Sequence, residues 1–245
     1  MAEALHVESG DDRVIATLSR PHVRNAIDQA MIDDLHALCE KLEQRPRTLI
    51  IAGSDGVFAS GADIAQLRDR RAEDARRGIN TRAFQRIAGL PMPVIAAVDG
   101  YALGGGAELA YAADLRIGTP RLKIGNPETG LGIIAAAGAT WRLPRIVGDA
   151  RAAELLLTGR ILDAQEALAW GIVSSLHEPD DLLPAAHALA DRIAANDPLA
   201  TRHTKTALAA PADAHPEIEL ELQAELFESP EKQRRMTAFL ERRTR

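Results

Sequence analysis

A short apolar run, VIAAV at residues 94–98, is followed within six residues by three consecutive glycines, Gly104, Gly105 and Gly106, and these lead directly into AELAYAA. Five apolar residues in a row predict a strand buried on both faces, and the stretch after the glycines predicts a helix. A flexible linker would not run straight into Leu109, Ala110 and Tyr111. The glycines therefore belong to a strand–helix junction. Without a Cβ, such a junction lets the backbone come close to a ligand. The first N–H groups of the following helix have no intrahelical partner, and with the helix dipole they favour negative charge. Two nucleotide-binding patterns are excluded. Leu109 stands where the third glycine of G-x-G-x-x-G belongs, and Ala107-Glu108 stands where the Walker loop needs Lys-Ser/Thr. The remaining anion is a developing oxyanion on a carbonyl, with Glu108 one short helical step beyond the donors.

A second junction of this kind lies upstream, in IIAGSDGVFASGADI at residues 50–64, where Gly61-Ala62 leads from a strand and loop into a helical stretch. Backbone donors from two such junctions make an oxyanion hole. A second carboxylate follows in IGNPETGLGI, where Asn126-Pro127 places Glu128 just after a strand. Pro127 fixes its own φ and pushes Asn126 towards an extended conformation. Each feature alone has an ordinary structural explanation: a packing glycine, an acid in a helix first turn, a solvated turn. Two glutamates and an oxyanion hole together suffice for proton transfer next to a carbonyl.

The rest of the chain predicts the setting. HVES and DRVIATLS flank a Gly-Asp turn and read as a hairpin. Residues 28–44 put Met31, Leu35, Leu38 and Leu42 on one face of a helix capped by Asp28. TLIIAG at 48–53 reads as a buried strand, 73–89 as a helix ended by GLPMP, and LRIG and LKIG as two further strands. From about residue 150 onward the pattern is almost all helical, punctuated by Gly159, Gly171, Pro184, Pro198 and Pro211. Strands alternating with helices over the first two thirds predict a layered α/β core, with a helical second subdomain for covering or assembly. With only 3% aromatic residues, the core has to be built from Ala, Leu, Ile and Val.

Charge and cysteine content narrow the partners. A net charge of -6 argues against nucleic acid. Seven arginines between residues 68 and 86 are the one motive for an RNA-binding or scaffold reading, but Asp69, Glu73 and Asp74 interleave them as on a solvated helix face. Cys39 is the only cysteine, which excludes an internal disulfide and a cysteine-based zinc site. The acidic start, MAEALHVESGDD, has neither the basic nor the apolar segment of a signal peptide. No apolar run approaches the ~18 residues of a membrane span, so the expectation is a cytoplasmic, soluble protein. No G-x-S-x-G elbow supports a serine peptidase, and the histidines share no spacing that suggests chemistry.

Taken in order, these segments resemble the enoyl-CoA hydratase/isomerase (crotonase) family nearly end to end. PHVRNAIDQAM (21–31) is similar to the family's K/R-x-N-A-L/I segment, and FASGADI (58–64) to its A-G-A-D-I/L motif. PVIAAVDGYALGGGAEL (93–109) resembles its glycine-rich signature, and NPETGLGI its P-E-x-x-L-G segment. LTGRILDAQEALAWGIVSSL (157–176) and MTAFLERR (236–243) resemble its later elements. The resemblance implies a crotonase-like ββα spiral core over residues 1–184 and a C-terminal helical trimerisation region over 185–245. It implies that the N–H groups of Ala62 and Gly105 bind the thioester oxygen, that Glu108 activates a water, and that Glu128 exchanges a proton at the α-carbon. Arg24, Ala26, Ser60, Ala62, Asp63, Ile64, Phe239 and Arg242 would contact coenzyme A. Both glutamates, 20 residues apart, match the two-glutamate hydratases. The implied reaction is hydration of a 2-enoyl-CoA to a 3-hydroxyacyl-CoA, as in acyl-CoA breakdown, with a double-bond isomerase or another CoA-thioester lyase as the alternative. No metal or other cofactor is implied, coenzyme A enters as part of the substrate, and the assembly would be a homotrimer or a dimer of trimers. After LGI this chain reads AAAGATWRL where many hydratases read PGAGGTQRL, and Arg242 stands where the family has a lysine.

Overall fold

The structure of the chain is a computed structural model that describes residues 4–243. Two compact units meet in sequence between Ala190 and Asp191. The first opens with strands β1 (Leu5–Ser9) and β2 (Arg13–Leu18), an antiparallel hairpin that pairs Leu5 with Leu18 and Ser9 with Val14. Val14, Ala16 and Leu18 face inward on β2, as their alternation predicts. Helix α1 (Gln29–Gln44) begins where the Asp28 carboxylate accepts the Met31 N–H at 2.9 Å, satisfying one of the free donors of the first turn. It buries Met31, Leu35, Leu38 and Leu42. Arg45-Pro46 ends it, because the residue before a proline is pushed out of the helical region.

Next come β3 (Thr48–Gly53), short helices α2 (Ile64–Asp69), α3 (Ala72–Arg77) and α4 (Ile79–Ala88), then β4 (Val94–Val98), β5 (Tyr101–Leu103) and α5 (Gly105–Ala112). Strands β6 (Leu115–Gly118) and β7 (Lys123–Gly125) precede a 3-10 turn over Pro127–Leu131. Helices α6 (Ala139–Val147) and α7 (Asp149–Thr158), strand β8 (Ile161–Asp163) and helices α8 (Ala164–Ala169) and α9 (Pro179–Ala194) follow. The first sheet runs β1-β2-β3-β4-β6, with β2, β3, β4 and β6 parallel. A second, three-stranded sheet runs β5-β7-β8. All five residues of β4 are buried, as expected for a central parallel strand covered on both faces. Each buried Ile, Leu or Val in β3 and β4 contributes about 1.5–3 kcal/mol relative to exposure.

Three sequence expectations need correction. Strand β4 does not run straight into the glycines. Asp99-Gly100 turns the chain, with Gly100 at φ +60, and β5 comes first. A Cβ on Gly100 would stand 2.1 Å from the Gly56 carbonyl oxygen, so glycine is required there for close packing as well as for its φ. The helix expected over 73–89 is two helices, broken at Gly78 (φ +63). The stretch beyond residue 150 contains strand β8, paired antiparallel with β7, and three residues are too short to show a period. Among the seven arginines, Arg68, Arg76, Arg77 and Arg86 pair with Asp69, Glu73, Asp74 and Glu43.

The second unit carries α10 (Pro198–Ala209), α11 (Glu217–Phe227) and α12 (Pro230–Arg243). Asp197 caps α10 by accepting the Ala200 N–H at 3.0 Å. Leu208, Leu220, Phe227, Phe239 and Leu240 are exposed on this unit. No helix among the described residues is long and apolar enough to cross a membrane.

Candidate active site

The three glycines have three different tasks. Gly104 (φ +50) is in a conformation that disfavours side chains, and a Cβ there would lie 3.1 Å from Glu128 Oε1. A Cβ on Gly106 would collide with the Ala59 carbonyl oxygen at 2.3 Å. That approach is fixed because Ala59 N donates to Tyr101 O (2.9 Å) and Leu103 N donates to Ala59 O (3.0 Å). The upstream junction is thus stitched directly to β5. Gly105 meets no collision. A Cβ there would stand 3.5 Å from the Ala62 nitrogen and 3.5 Å from Asn80 Nδ2, so glycine leaves the cavity roomier beside Ala62.

The loop bearing Ala62 is held from its other side by residues 24–27. Ser60 N donates to Arg24 O (3.0 Å), Ile27 N to Gly61 O (2.8 Å) and Asp63 N to Ile27 O (2.9 Å). Fully buried Asn25 locks this segment, donating to Ser54 O and Val57 O and accepting from Arg20 N and the Ser54 hydroxyl. Among the described residues neither the Ala62 N–H nor the Gly105 N–H has an acceptor. Both border a cavity of about 730 Å³, so two main-chain donors stand ready for an outside oxygen.

Two carboxylates border the same cavity. Glu108, on the first turn of α5, is only 3% exposed, and its Oε1 accepts the N–H groups of Ala137 (2.7 Å) and Ala139 (3.1 Å). Burial dominates and pushes its pKa up to about 7, with Glu128 adding to the rise; the two N–H bonds and the Arg142 guanidinium act against it. Arg142 also donates to Ala137 O at 3.2 Å, which ties it to the loop that holds Glu108. Glu128, in the 3-10 turn, is likewise raised above the usual carboxylate range by burial. Its Oε1 accepts from Asn126 Nδ2 at 3.3 Å, and its buried Oε2 has no partner among the described residues. Asn126 Nδ2 also lies 3.4 Å from Gly104 O, joining Glu128 to the glycine turn. Carboxylates with raised pKa values beside free oxyanion donors are equipped to move protons at neutral pH.

The cavity brings together Glu108, Glu128, Ala62, Gly105, Ser60 and Ile64. Arg24, Ala26 and Asp63 do not line it. Arg24 is exposed, Ala26 is buried, and the Asp63 carboxylate caps α2 through Ala65 N and Gln66 N while facing Arg20. Phe239 and Arg242 are exposed on α12 of the second unit. In the departing stretch, Ala136 and Ala137 line the cavity, whereas Trp141 is stacked against the Arg142 guanidinium. The sequence assigns Asn126-Pro127 to placing Glu128, but not the side-chain bonds by which Asn126 does so, nor the positioning role of Asn25. Both sit inside the quoted segments VRNAI and GNPE, where an amide next to a positive-φ or proline-bound turn is the available signal.

A five-stranded and a three-stranded sheet whose strand–helix turns present two acceptor-free amides to one cavity define the crotonase class. An enoyl-CoA hydratase of Bacillus anthracis matches with a TM-score of 0.92 and 31% identity, covering 98% of this chain and 96% of that one. The family model described as enoyl-CoA hydratase/isomerase matches residues 13–245, and the chain belongs to that family. A crotonyl-CoA hydratase of Syntrophomonas wolfei is 36% identical over 98% of this chain and 96% of its own length. A short-chain-enoyl-CoA hydratase of Clostridium acetobutylicum is 34% identical, covering 94% of this chain and 91% of that protein.

Proposed function

We propose that the chain is an enoyl-CoA hydratase, a hydro-lyase that adds water reversibly to a 2-enoyl-CoA to give a 3-hydroxyacyl-CoA. The observation that carries this reading is the pair of acceptor-free N–H groups, Ala62 and Gly105, facing the same cavity as two buried glutamates. The thioester oxygen takes the two N–H bonds. Glu108, in its ionised form, removes a proton from water as the water oxygen bonds to C3. Charge moves through the conjugated system onto the thioester oxygen, where each preorganised donor lowers the barrier by about 3 kcal/mol. Glu128, in its protonated form, gives its proton to C2. The carboxyl group of one glutamate and the carboxylate of the other exchange roles over the cycle, and solvent returns the proton. Coenzyme A is part of the substrate, and no other cofactor enters a step.

The named hydratases among the relatives support this reading, as does the presence of both glutamates, since moving a double bond needs only one carboxylate to carry a proton between carbons. The exposed apolar residues of α10–α12 support self-association as a trimer or a pair of trimers, in which Phe239 and Arg242 would reach a substrate's nucleotide end. A cytoplasmic location is part of the same proposal. Purified protein mixed with crotonyl-CoA is expected to lose the absorbance of the conjugated thioester and to form 3-hydroxybutyryl-CoA. Turnover of 3-enoyl-CoA to the conjugated isomer without hydration of crotonyl-CoA would overturn the assignment in favour of an isomerase.

A further inference from the structure

The wall of the cavity facing the glycines is the start of α4, which falls within the arginine-rich stretch that the sequence presents as a solvated face. Asn80, the second residue of that helix, borders the cavity with Ala62, Gly105 and both glutamates. Its Nδ2 lies 3.5 Å from the point a Cβ on Gly105 would occupy, the same distance as the Ala62 nitrogen from that point. Its Oδ1 lies 3.5 Å from Arg70 NH1. A guanidinium only donates, so this contact turns the amide with its NH2 group towards Gly105. Among the described residues Nδ2 has no acceptor.

The position is held on both sides. Gly78 at φ +63 starts α4, and Ala83, Phe84 and Ile87 bury its other face. The neighbouring Thr81 hydroxyl donates to Ala136 O at 3.0 Å, fixing the helix to the loop that leads to the Glu108 donors. A side-chain donor on an anchored helix, aimed beside two main-chain donors, is preorganised in the way that electrostatic stabilisation requires.

We propose that Asn80 is a catalytic residue that donates a third hydrogen bond, from Nδ2, to the substrate's thioester oxygen. The proposal rests on the hydratase reading above. A donor aimed at charge that grows during the reaction acts on kcat more than on KM.

The test uses the 245-residue chain with crotonyl-CoA as substrate and bound cinnamoyl-CoA as a chromophore, whose absorption moves to longer wavelength as its carbonyl is polarised. Asn80→Ala is expected to lower kcat by about 10²-fold with KM within a few-fold of the parent. Asn80→Asp, nearly isosteric but with an acceptor in place of the donor, is expected to be slower still. The red shift of bound cinnamoyl-CoA is expected to shrink in both. A kcat unchanged in both variants overturns the proposal, as does an effect confined to KM. Equal losses in the two variants with the full red shift retained would show a merely structural role and also overturn it. Parent protein that fails to hydrate crotonyl-CoA would instead sink the hydratase reading, and the two failures are thereby distinguished.

Discussion

Glu108→Gln is expected to lower kcat for hydration by about 10²–10⁴-fold while making the folded protein more stable. The amide oxygen of Gln still accepts the Ala137 and Ala139 N–H groups, so the loop over 137–139 keeps its anchor. What is lost is the base that takes a proton from water. What is gained follows from the raised pKa. Burial pushes Glu108 up to about 7, so the folded state holds a proton that the unfolded chain releases near the ordinary glutamate value. The stabilising contribution of this proton is full below the unfolded pKa and disappears as pH rises through about 7. At pH 8 the parent therefore carries a buried charge, at a cost of about 3 kcal/mol, that the Gln variant lacks. The same titration gives the parent's activity an acid limb near neutral pH, since the protonated form of Glu108 cannot act as the base. Steady-state kinetics and thermal melts across pH 5–9 check both halves. A variant of normal activity, or one destabilised at pH 8, would contradict the roles assigned to burial and to Glu108.

The glycines give the second large effect, and adjacent positions are expected to behave oppositely. At Gly105 a methyl group meets nothing closer than 3.5 Å, so Gly105→Ala is expected to fold with little change in melting temperature. That methyl crowds the cavity 3.5 Å from the Ala62 nitrogen, and activity is expected to fall by about 10²–10³-fold, the loss associated with a missing oxyanion donor. At Gly106 the methyl would lie 2.3 Å from Ala59 O and 2.8 Å from Ala59 Cβ. Both obstacles belong to backbone or a neighbouring short side chain, and Ala59 is bridged to β5. Gly106→Ala is expected to cost about 1–3 kcal/mol of stability, the usual penalty of overpacking. Melting curves and kcat/KM for the two variants test the assignment. Equal melting temperatures would contradict the packing role of Gly106, and a fully active Gly105→Ala would contradict the need for room beside Ala62.

Much of this was legible in the chain. The α1 face, the Asp28 cap, the hairpin and strands β3 and β4 followed from spacing, because each spans enough residues to show a period or a fully apolar run. The two strand–helix junctions and both glutamates were legible only together, since a packing glycine or a first-turn acid explains each of them alone. Strand β5 was not legible. Its three residues, Tyr101–Leu103, include one exposed position and only one buried, and they are held by pairing with β7 and by the bridge from Ala59 to Ala102. These are contacts distant in sequence. Strand β8 was hidden for the same reason. The break at Gly78 was missed because Gly is tolerated within a helical pattern.

At the site, spacing in sequence could not reveal how the acids are held. Glu108 takes its N–H bonds from residues 29 and 31 positions away, and Asn126 joins Glu128 to Gly104 across 22 positions. Asn80 was obscured for a different reason. The charges around it dominate the composition of residues 68–86, and four of the arginines are in fact paired at the surface. Asp63 shows the converse. It belongs to a recognised motif, but its carboxylate is engaged by α2 and Arg20, and its backbone N–H holds the loop to Ile27.

The most direct measurement is a crystal structure of the protein with 3-hydroxybutyryl-CoA bound. The account expects the thioester oxygen at about 2.7–3.1 Å from both the Ala62 and Gly105 nitrogens, with the 3-hydroxyl group against Glu108 and C2 against Glu128. An oxygen turned away from those two amides, or an acyl chain whose 3-hydroxyl and C2 lie out of reach of Glu108 and Glu128, would contradict it.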